Sequence, residues 1–169
     1  MEIERKFLLK SLPKKCMDTM VIDSMATLIR QGYINMNPEV RIVSKHVFGK
    51  ETKYMMTIKS DGLLSREEIE FNIDRDKFNK LRDNFIKDYS MINKMYYTFI
   101  DGDFLIEVSI VDIGTDTSFI YAEVEFKSEE DSKLYKLPDW FIEECSPIEI
   151  TNDSSYKMKN YWLRTRLNT

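Results

Sequence analysis

Met1-Glu2-Ile3-Glu4-Arg5-Lys6-Phe7-Leu8-Leu9 decides how the rest of the chain is read. Apolar and charged residues alternate along it. In an extended strand successive side chains point to opposite faces, so Glu2, Glu4 and Lys6 share one face and Ile3 and Phe7 the other. Like charges at i, i+2 repel, and Ser or Thr would cover a wet face at lower cost. Two carboxylates and an ammonium in a row fit the wall of a site that holds a metal and an anion together.

The same alternation recurs over Leu28–Met36, Glu39–Val47, Lys53–Lys59, Ser65–Ile73, Met91–Ile100, Asp103–Val111 and Phe119–Lys127, which makes eight strands in all. Asn37-Pro38, Asp61-Gly62, Asp101-Gly102 and Gly114 punctuate them as turns, and Asp101-Gly102 between two alternating runs predicts a tight hairpin. Helical spacing of Phe78, Leu81 and Phe85 predicts a helix over 74–86, capped by Asp74, with those three residues facing the core. Leu137-Pro138-Asp139 opens a short helix to Glu144, stopped before Pro147. A last helix runs from Asp153 or Ser154 to about Leu167. Residues 10–23 read as a loop with a short helix. The expected fold is α+β: an eight-stranded antiparallel β-barrel with a few helices packed outside, in one domain spanning 1–169. Closure of the barrel removes the sheet edges.

Composition narrows the chemistry. The chain of 169 residues is 43% hydrophobic and 32% charged, a globular profile rather than a disordered one. A net charge of −4 gives no basic field for nucleic acid. No apolar run approaches the ~20 residues of a membrane span, and strand-like pattern from Met1 speaks against a secretory leader. Cys16 and Cys145 have no metal-ligand spacing and read as reduced thiols in a cytoplasmic protein. His46, the single histidine, reads as a loop or surface residue, which speaks against a His-based zinc site or a Ser-His-Asp triad.

Charged faces repeat on other strands. Arg66, Glu68, Glu70 and Asn72 share one; Glu107 and Ser109 another; Glu123 and Glu125 a third. Lys59 shares a face with Thr57, and Arg41 with Lys45. The Glu-x-Glu pairs gather Glu2, Glu4, Glu68, Glu70, Glu123 and Glu125. A divalent cation, or interleaved Lys and Arg, relieves that repulsion. Oxygen donors without His or Cys select magnesium, calcium or manganese. Lys6, Arg41, Lys59 and Lys94 supply positive charge for an anion. Both signs in one cavity suit metal-assisted phosphoryl chemistry.

These residues resemble the CYTH, or triphosphate tunnel metalloenzyme, superfamily. Glu2-Ile3-Glu4-Arg5-Lys6 is similar to its N-terminal Glu-x-Glu-x-Lys signature. Gln31-Gly32-Tyr33, Thr57-Ile58-Lys59, Arg66-Glu67-Glu68-Ile69-Glu70 and Glu123-Val124-Glu125 follow in the family's order, as do Arg41, Lys94, Glu107 and the segments Leu137–Trp140 and Glu149–Asp153. The resemblance implies an eight-stranded tunnel that hydrolyses or cyclises a triphosphate-bearing substrate with Mg2+ or Mn2+. It implies Glu2, Glu4, Glu123 and Glu125 as metal ligands. Lys6, Arg41, Lys59, Arg66 and Lys94 are implied to grip phosphates. Glu2, Glu4, Lys6, Glu68 and Glu70 are the implied catalytic set.

The chain also departs from that pattern. In the third strand Val43, or else Glu39, stands where the family carries a second arginine beside Arg41; Tyr96 stands where it carries an arginine, Ser109 where it carries an aspartate, and Ser155 where an arginine is common. Lys45, Lys157 or Lys159 are candidates to compensate, and Val43 and Tyr96 suit an organic group better than more phosphate. The expected activity is therefore a metal-dependent hydrolase of a nucleotide, another organic triphosphate or inorganic triphosphate. The alternatives are a module that binds such a ligand without turnover, or an adenylyl cyclase. The expected partner is a small-molecule triphosphate or nucleotide, with no membrane and no nucleic acid, in a monomer or homodimer. Lys157, Lys159, Arg164 and Arg166 read as a solvated helix face, or else as a lid over the tunnel mouth. Trp140 and Trp162 are expected to pack the outer helices onto the barrel.

Overall fold

A computed structural model describes residues 1–17, 26–87 and 89–167. Its ten strands are β1 (Glu2–Leu9), β2 (Thr27–Met36), β3 (Glu39–Val47), β4 (Lys53–Lys59), β5 (Ser65–Arg66), β6 (Glu68–Ile73), β7 (Ile92–Asp101), β8 (Phe104–Val111), β9 (Phe119–Glu125) and β10 (Ile148–Glu149). Its helices are α1 (Arg75–Leu81), α2 (Glu129–Leu134), α3 (Asp139–Cys145) and α4 (Met158–Trp162).

The strands form one antiparallel sheet in the order β10-β1-β9-β8-β7-β2-β3-β4-β6, and β5 pairs back onto β1. The strand expected over Ser65–Ile73 is interrupted at Glu67, and the interruption is what brings the sheet round. Arg66 pairs with Glu2 on one side, while Glu68 pairs with Lys59 on the other. One kinked segment thus bridges β1 and β4, and the barrel nearly closes. Asp101-Gly102 makes the predicted hairpin, with Asp101 opposite Phe104 and Gly102 at φ 59°.

The barrel is polar inside and apolar outside. Ile3, Phe7, Val108, Ala122 and Val124 point outward and are buried beneath α2 and α3 with Tyr135, Phe141 and Cys145. Trp140 packs there against Phe99, with ring centroids 6.0 Å apart. A second cluster joins α1 and α4 to the barrel through Ile42, Phe78, Ile86, Tyr161 and Trp162. Because the helices supply the dry phase, the strands can spend their other faces on charge.

Two helices differ from the periodicity. Asp74 caps α1, accepting from the Lys77 amide at 2.7 Å. After Leu81 the chain widens into a π-helical turn over Arg82–Ile86. The wider turn shifts the phase: Ile86 becomes fully buried and Phe85, expected in the core, is 61% exposed. Gly32 allows this approach, since a Cβ there would lie 2.4 Å from the Ile86 side chain. The last helix also breaks up, into a single turn at Ser154–Tyr156, α4, and a π-helical turn over Leu163–Leu167. In the 10–23 segment a 3-10 turn covers Lys14–Met17; residues 18–25 lie outside the described set. Among the described residues no helix is long and apolar enough to cross a membrane.

Candidate functional site

The inward faces meet in a cavity of 340 Å³ inside the barrel, within the range of small-molecule sites. Strand parity places its walls. Glu2, Glu4 and Lys6 project from β1, Tyr121, Glu123 and Glu125 from β9, Glu107 from β8, and Lys94 and Tyr96 from β7. Arg41, Val43 and Lys45 project from β3 and Lys59 from β4.

Two charge clusters organise it. In the first, Lys59 is 3% exposed and meets Glu2 at 2.9 Å and Glu68 at 2.7 Å. Arg66 reaches Glu2 at 2.9 Å, Glu4 at 3.2 Å and Glu39 at 3.7 Å. In the second, Lys6 pairs with Glu123 at 2.7 Å and lies 3.9 Å above the Tyr121 ring. Lys94 donates to the Tyr121 hydroxyl at 3.0 Å. Glu70 lines the cavity and accepts from the Thr57 hydroxyl at 3.2 Å. Glu125 sits exposed at the end of β9. Arg41 lies beside Tyr33 and Glu39, and its buried Nε has no hydrogen-bond partner among the described residues.

Register explains the opposed protonation tendencies. Glu4 faces Glu125 directly, and Glu123 is flanked by Lys6 on β1 and Glu107 on β8. Burial and the Glu123 charge push the Glu4 carboxyl up to about 7. Burial acts on Glu123 in the same direction, but Lys6 and Lys94 outweigh it and hold that carboxyl at about 2. Glu2 is likewise held at about 2 against its burial, by the Glu68 carboxyl, Lys59 and Arg66. Lys94 is pushed down to about 7 by burial and by the neighbouring Arg41, Lys6 and Lys59. The site can exchange protons near neutrality and shift that balance when charge arrives.

The sequence-predicted residues Glu2, Glu4, Lys6, Arg41, Lys59, Arg66, Glu70, Lys94, Glu123 and Glu125 all line the one cavity, and Glu68 joins it through Lys59. Among the described residues no three His, Cys, Asp or Glu side chains stand close enough together to hold a metal. Lys6 and Arg66 explain this, because they occupy the carboxylates Glu123, Glu2 and Glu4. Tyr96 and Ser109, two of the departures from the expected pattern, are register partners. Lys45 stands 5.3 Å over the Tyr96 ring.

Other contributors were missed in the sequence. Glu39 is 4% exposed and faces Lys59 across β3 and β4; at the head of a strand after Asn37-Pro38 it looks like a surface charge. Tyr121 lies two residues before Glu123 on the same face, so strand parity carried the signal. The solvated-face reading fails for three basic residues. Lys157 lines the cavity and donates to the Gly62 carbonyl. Lys159 donates to Met36 O at 3.2 Å and Asp61 at 3.0 Å. Arg166 meets the buried Asp112 at 2.6 Å.

The chain is 32% identical to the inorganic triphosphatase of Nitrosomonas europaea over 160 residues, covering 94% of each protein. It belongs to the family of that triphosphatase. A crystal structure of an inorganic triphosphatase matches with a TM-score of 0.57 and 28% identity, over 95% of this chain and 93% of that one. A putative adenylate cyclase from Bacillus halodurans shares the fold, with a TM-score of 0.52 and 16% identity over 79% of this chain and 84% of that one. No protein-family profile matches the chain.

Proposed function

We propose that this protein is a CYTH-type, divalent-metal-dependent hydrolase of a triphosphate-bearing substrate held inside the barrel. The observation that carries the reading is the lining itself: eight carboxylates and seven cations share one cavity. A net lining charge of −1 cannot host a polyanion alone. It can do so when a divalent cation takes up the carboxylates and frees Lys6 and Arg66 for phosphate.

The donor set fits Mg2+ or Mn2+, being hard oxygen only. Glu2, Glu4, Glu123 and Glu125 would hold the ion. The Glu4 carboxyl, raised by burial and the Glu123 charge despite Arg66 beside it, and the facing Glu125 mark where negative charge is concentrated. When bound, the ion would neutralise phosphate oxygens and acidify water. Lys6, Lys59, Arg66 and Lys94 grip the chain of phosphates, and Arg41 offers its unpaired Nε as a further donor. Water attacks the terminal phosphorus, the phosphoanhydride bond breaks, and its bridging oxygen leaves on the diphosphate. Glu70, engaged by Thr57 alone among the described residues, takes the proton of that water. Two buried free thiols, Cys16 and Cys145, fit a reducing cytoplasm.

The absence of a preassembled metal cluster among the described residues favours one second reading, capture of the ligand without turnover. A phosphate-release assay separates the two. Wild type is compared with a Glu2→Ala, Glu4→Ala variant on tripolyphosphate, ATP, GTP and thiamine triphosphate, with Mg2+ or Mn2+. Metal-dependent release above the variant supports hydrolysis; release no greater than the variant's on every substrate refutes it.

A further inference from the structure

Tyr121 touches two of the cavity's cations at once. The Lys6 ammonium lies over the face of its ring, 3.9 Å from the centroid, and the Lys94 ammonium donates to its hydroxyl at 3.0 Å. One side chain on β9 thus holds ammonium groups that arrive from β1 and β7. Its own position is fixed. Tyr121 is fully buried, Phe119 stacks on it with ring centroids 5.6 Å apart, and the buried Ser109 faces it across β8 and β9.

The charge of the partner is informative. Lys6, Lys59 and Arg66 pair directly with carboxylates. Lys94 makes no ion pair among the described residues, and its hydrogen-bond acceptor is a phenol, which is neutral at physiological pH. A carboxylate in that place would cancel the ammonium charge and repel a polyanion. A hydroxyl fixes the direction of the ammonium and leaves its charge, with two of its three N–H groups, for a ligand. The ring face serves Lys6 in the same way. Its quadrupole attracts the cation without supplying a counter-charge.

We propose that Tyr121 is a positioning residue for the triphosphate. Its ring aims Lys6 and its hydroxyl aims Lys94, so that two phosphoryl groups meet ammonium groups already in place. Tyr121 acts through the two lysines and not on the reacting atoms. This rests on the triphosphate reading above and adds to it the residue that organises its cations.

The test is a double-mutant cycle on the full chain. Affinity for a methylene-bridged, non-hydrolysable tripolyphosphate is measured by calorimetric titration with Mg2+ present, and melting temperatures establish folding. Tyr121→Phe keeps the ring and removes the hydroxyl. It should weaken binding about tenfold in the wild-type background, the scale of one hydrogen bond to a charged group, and leave affinity unchanged in a Lys94→Met background. Tyr121→Leu also removes the ring. It should cost a further ~fivefold, in keeping with a desolvated cation–π contact, and that further loss should vanish in a Lys6→Met background. A side chain that only filled space would give the same losses with and without its lysines. Equal losses in the wild-type and Lys94→Met backgrounds, or wild-type affinity in Tyr121→Phe, overturn the proposal. If Tyr121→Leu does not fold, the Tyr121→Phe arm decides alone. A wild type that binds no tripolyphosphate defeats the triphosphate reading and this proposal with it. Absence of phosphate release from a hydrolysable substrate defeats the hydrolase reading alone, because the cycle is read without turnover.

Discussion

Lys94→Met should make the protein more stable and less able to bind its ligand. Lys94 is half-buried among Arg41, Lys6 and Lys59, and its pKa falls from 10.5 to about 7. A folded pKa below the unfolded one means that the unfolded chain binds more protons between those values. Stability therefore rises with pH across that window, and the ammonium weighs fully against folding below about pH 7. At 1.36 kcal/mol per pKa unit the burden is about 4 kcal/mol at neutral pH. Removing the amine also strips the Tyr121 hydroxyl of a partner at 3.0 Å, returning about 1–2 kcal/mol. The net gain of about 2 kcal/mol should raise Tm by about 4–8 °C at pH 6–7. The gain should shrink as pH approaches 10, where the wild-type amine is neutral when folded and increasingly so when unfolded. Differential scanning calorimetry from pH 6 to 10, paired with tripolyphosphate titration, measures both sides. An anion drawn to Lys94 should also drive proton uptake above pH 7, visible as a binding enthalpy that depends on the buffer. A lower Tm for Lys94→Met at pH 6, or unchanged ligand affinity, would refute the view that Lys94 is held destabilised for an anion.

Arg166→Ala should lower Tm by about 6–12 °C, since Asp112 would keep only the Tyr161 hydroxyl at 2.7 Å as a charge-stabilising side-chain partner. The loss is ~3 kcal/mol for an uncompensated buried carboxylate, and a shift under 2 °C in a thermal melt would contradict it. Gly32→Ala should cost about 1–3 kcal/mol through overpacking against Ile86, read as a fall in the urea midpoint at constant m. An unchanged midpoint would show that Gly32 does not govern the contact between β2 and the turn after α1.

The barrel was legible because each strand declares its two faces by alternation, and because register then places inward residues together without further information. That logic found Glu2, Glu4, Lys6, Arg41, Lys59, Arg66, Lys94, Glu123 and Glu125, which line one cavity. It failed where period and contact part company. Phe85 obeys α-helical spacing, but the π-helical turn over Arg82–Ile86 hands its place to Ile86. The six residues of α2, capped by Ser128, are too short to show a helical period. The two-residue β10 pairs with β1 only because the tertiary fold returns it there. Glu39 and the basic residues of the last helix look like solvated charge in one dimension. Their partners Lys59, Gly62, Asp61 and Asp112 lie on distant segments. The pairing of Tyr96 with Ser109 was equally hidden, being a fact of register, not of spacing.

A crystal structure of the protein with Mn2+ and a non-hydrolysable triphosphate tests the central claim most directly. Anomalous density for manganese should appear beside Glu2 and Glu4 on β1 and Glu123 and Glu125 on the neighbouring β9, with Lys6 and Arg66 turned from carboxylate to phosphate. Manganese confined to the outer surface, with the Lys6–Glu123 and Arg66–Glu2 pairs intact and phosphates outside the barrel, would contradict it.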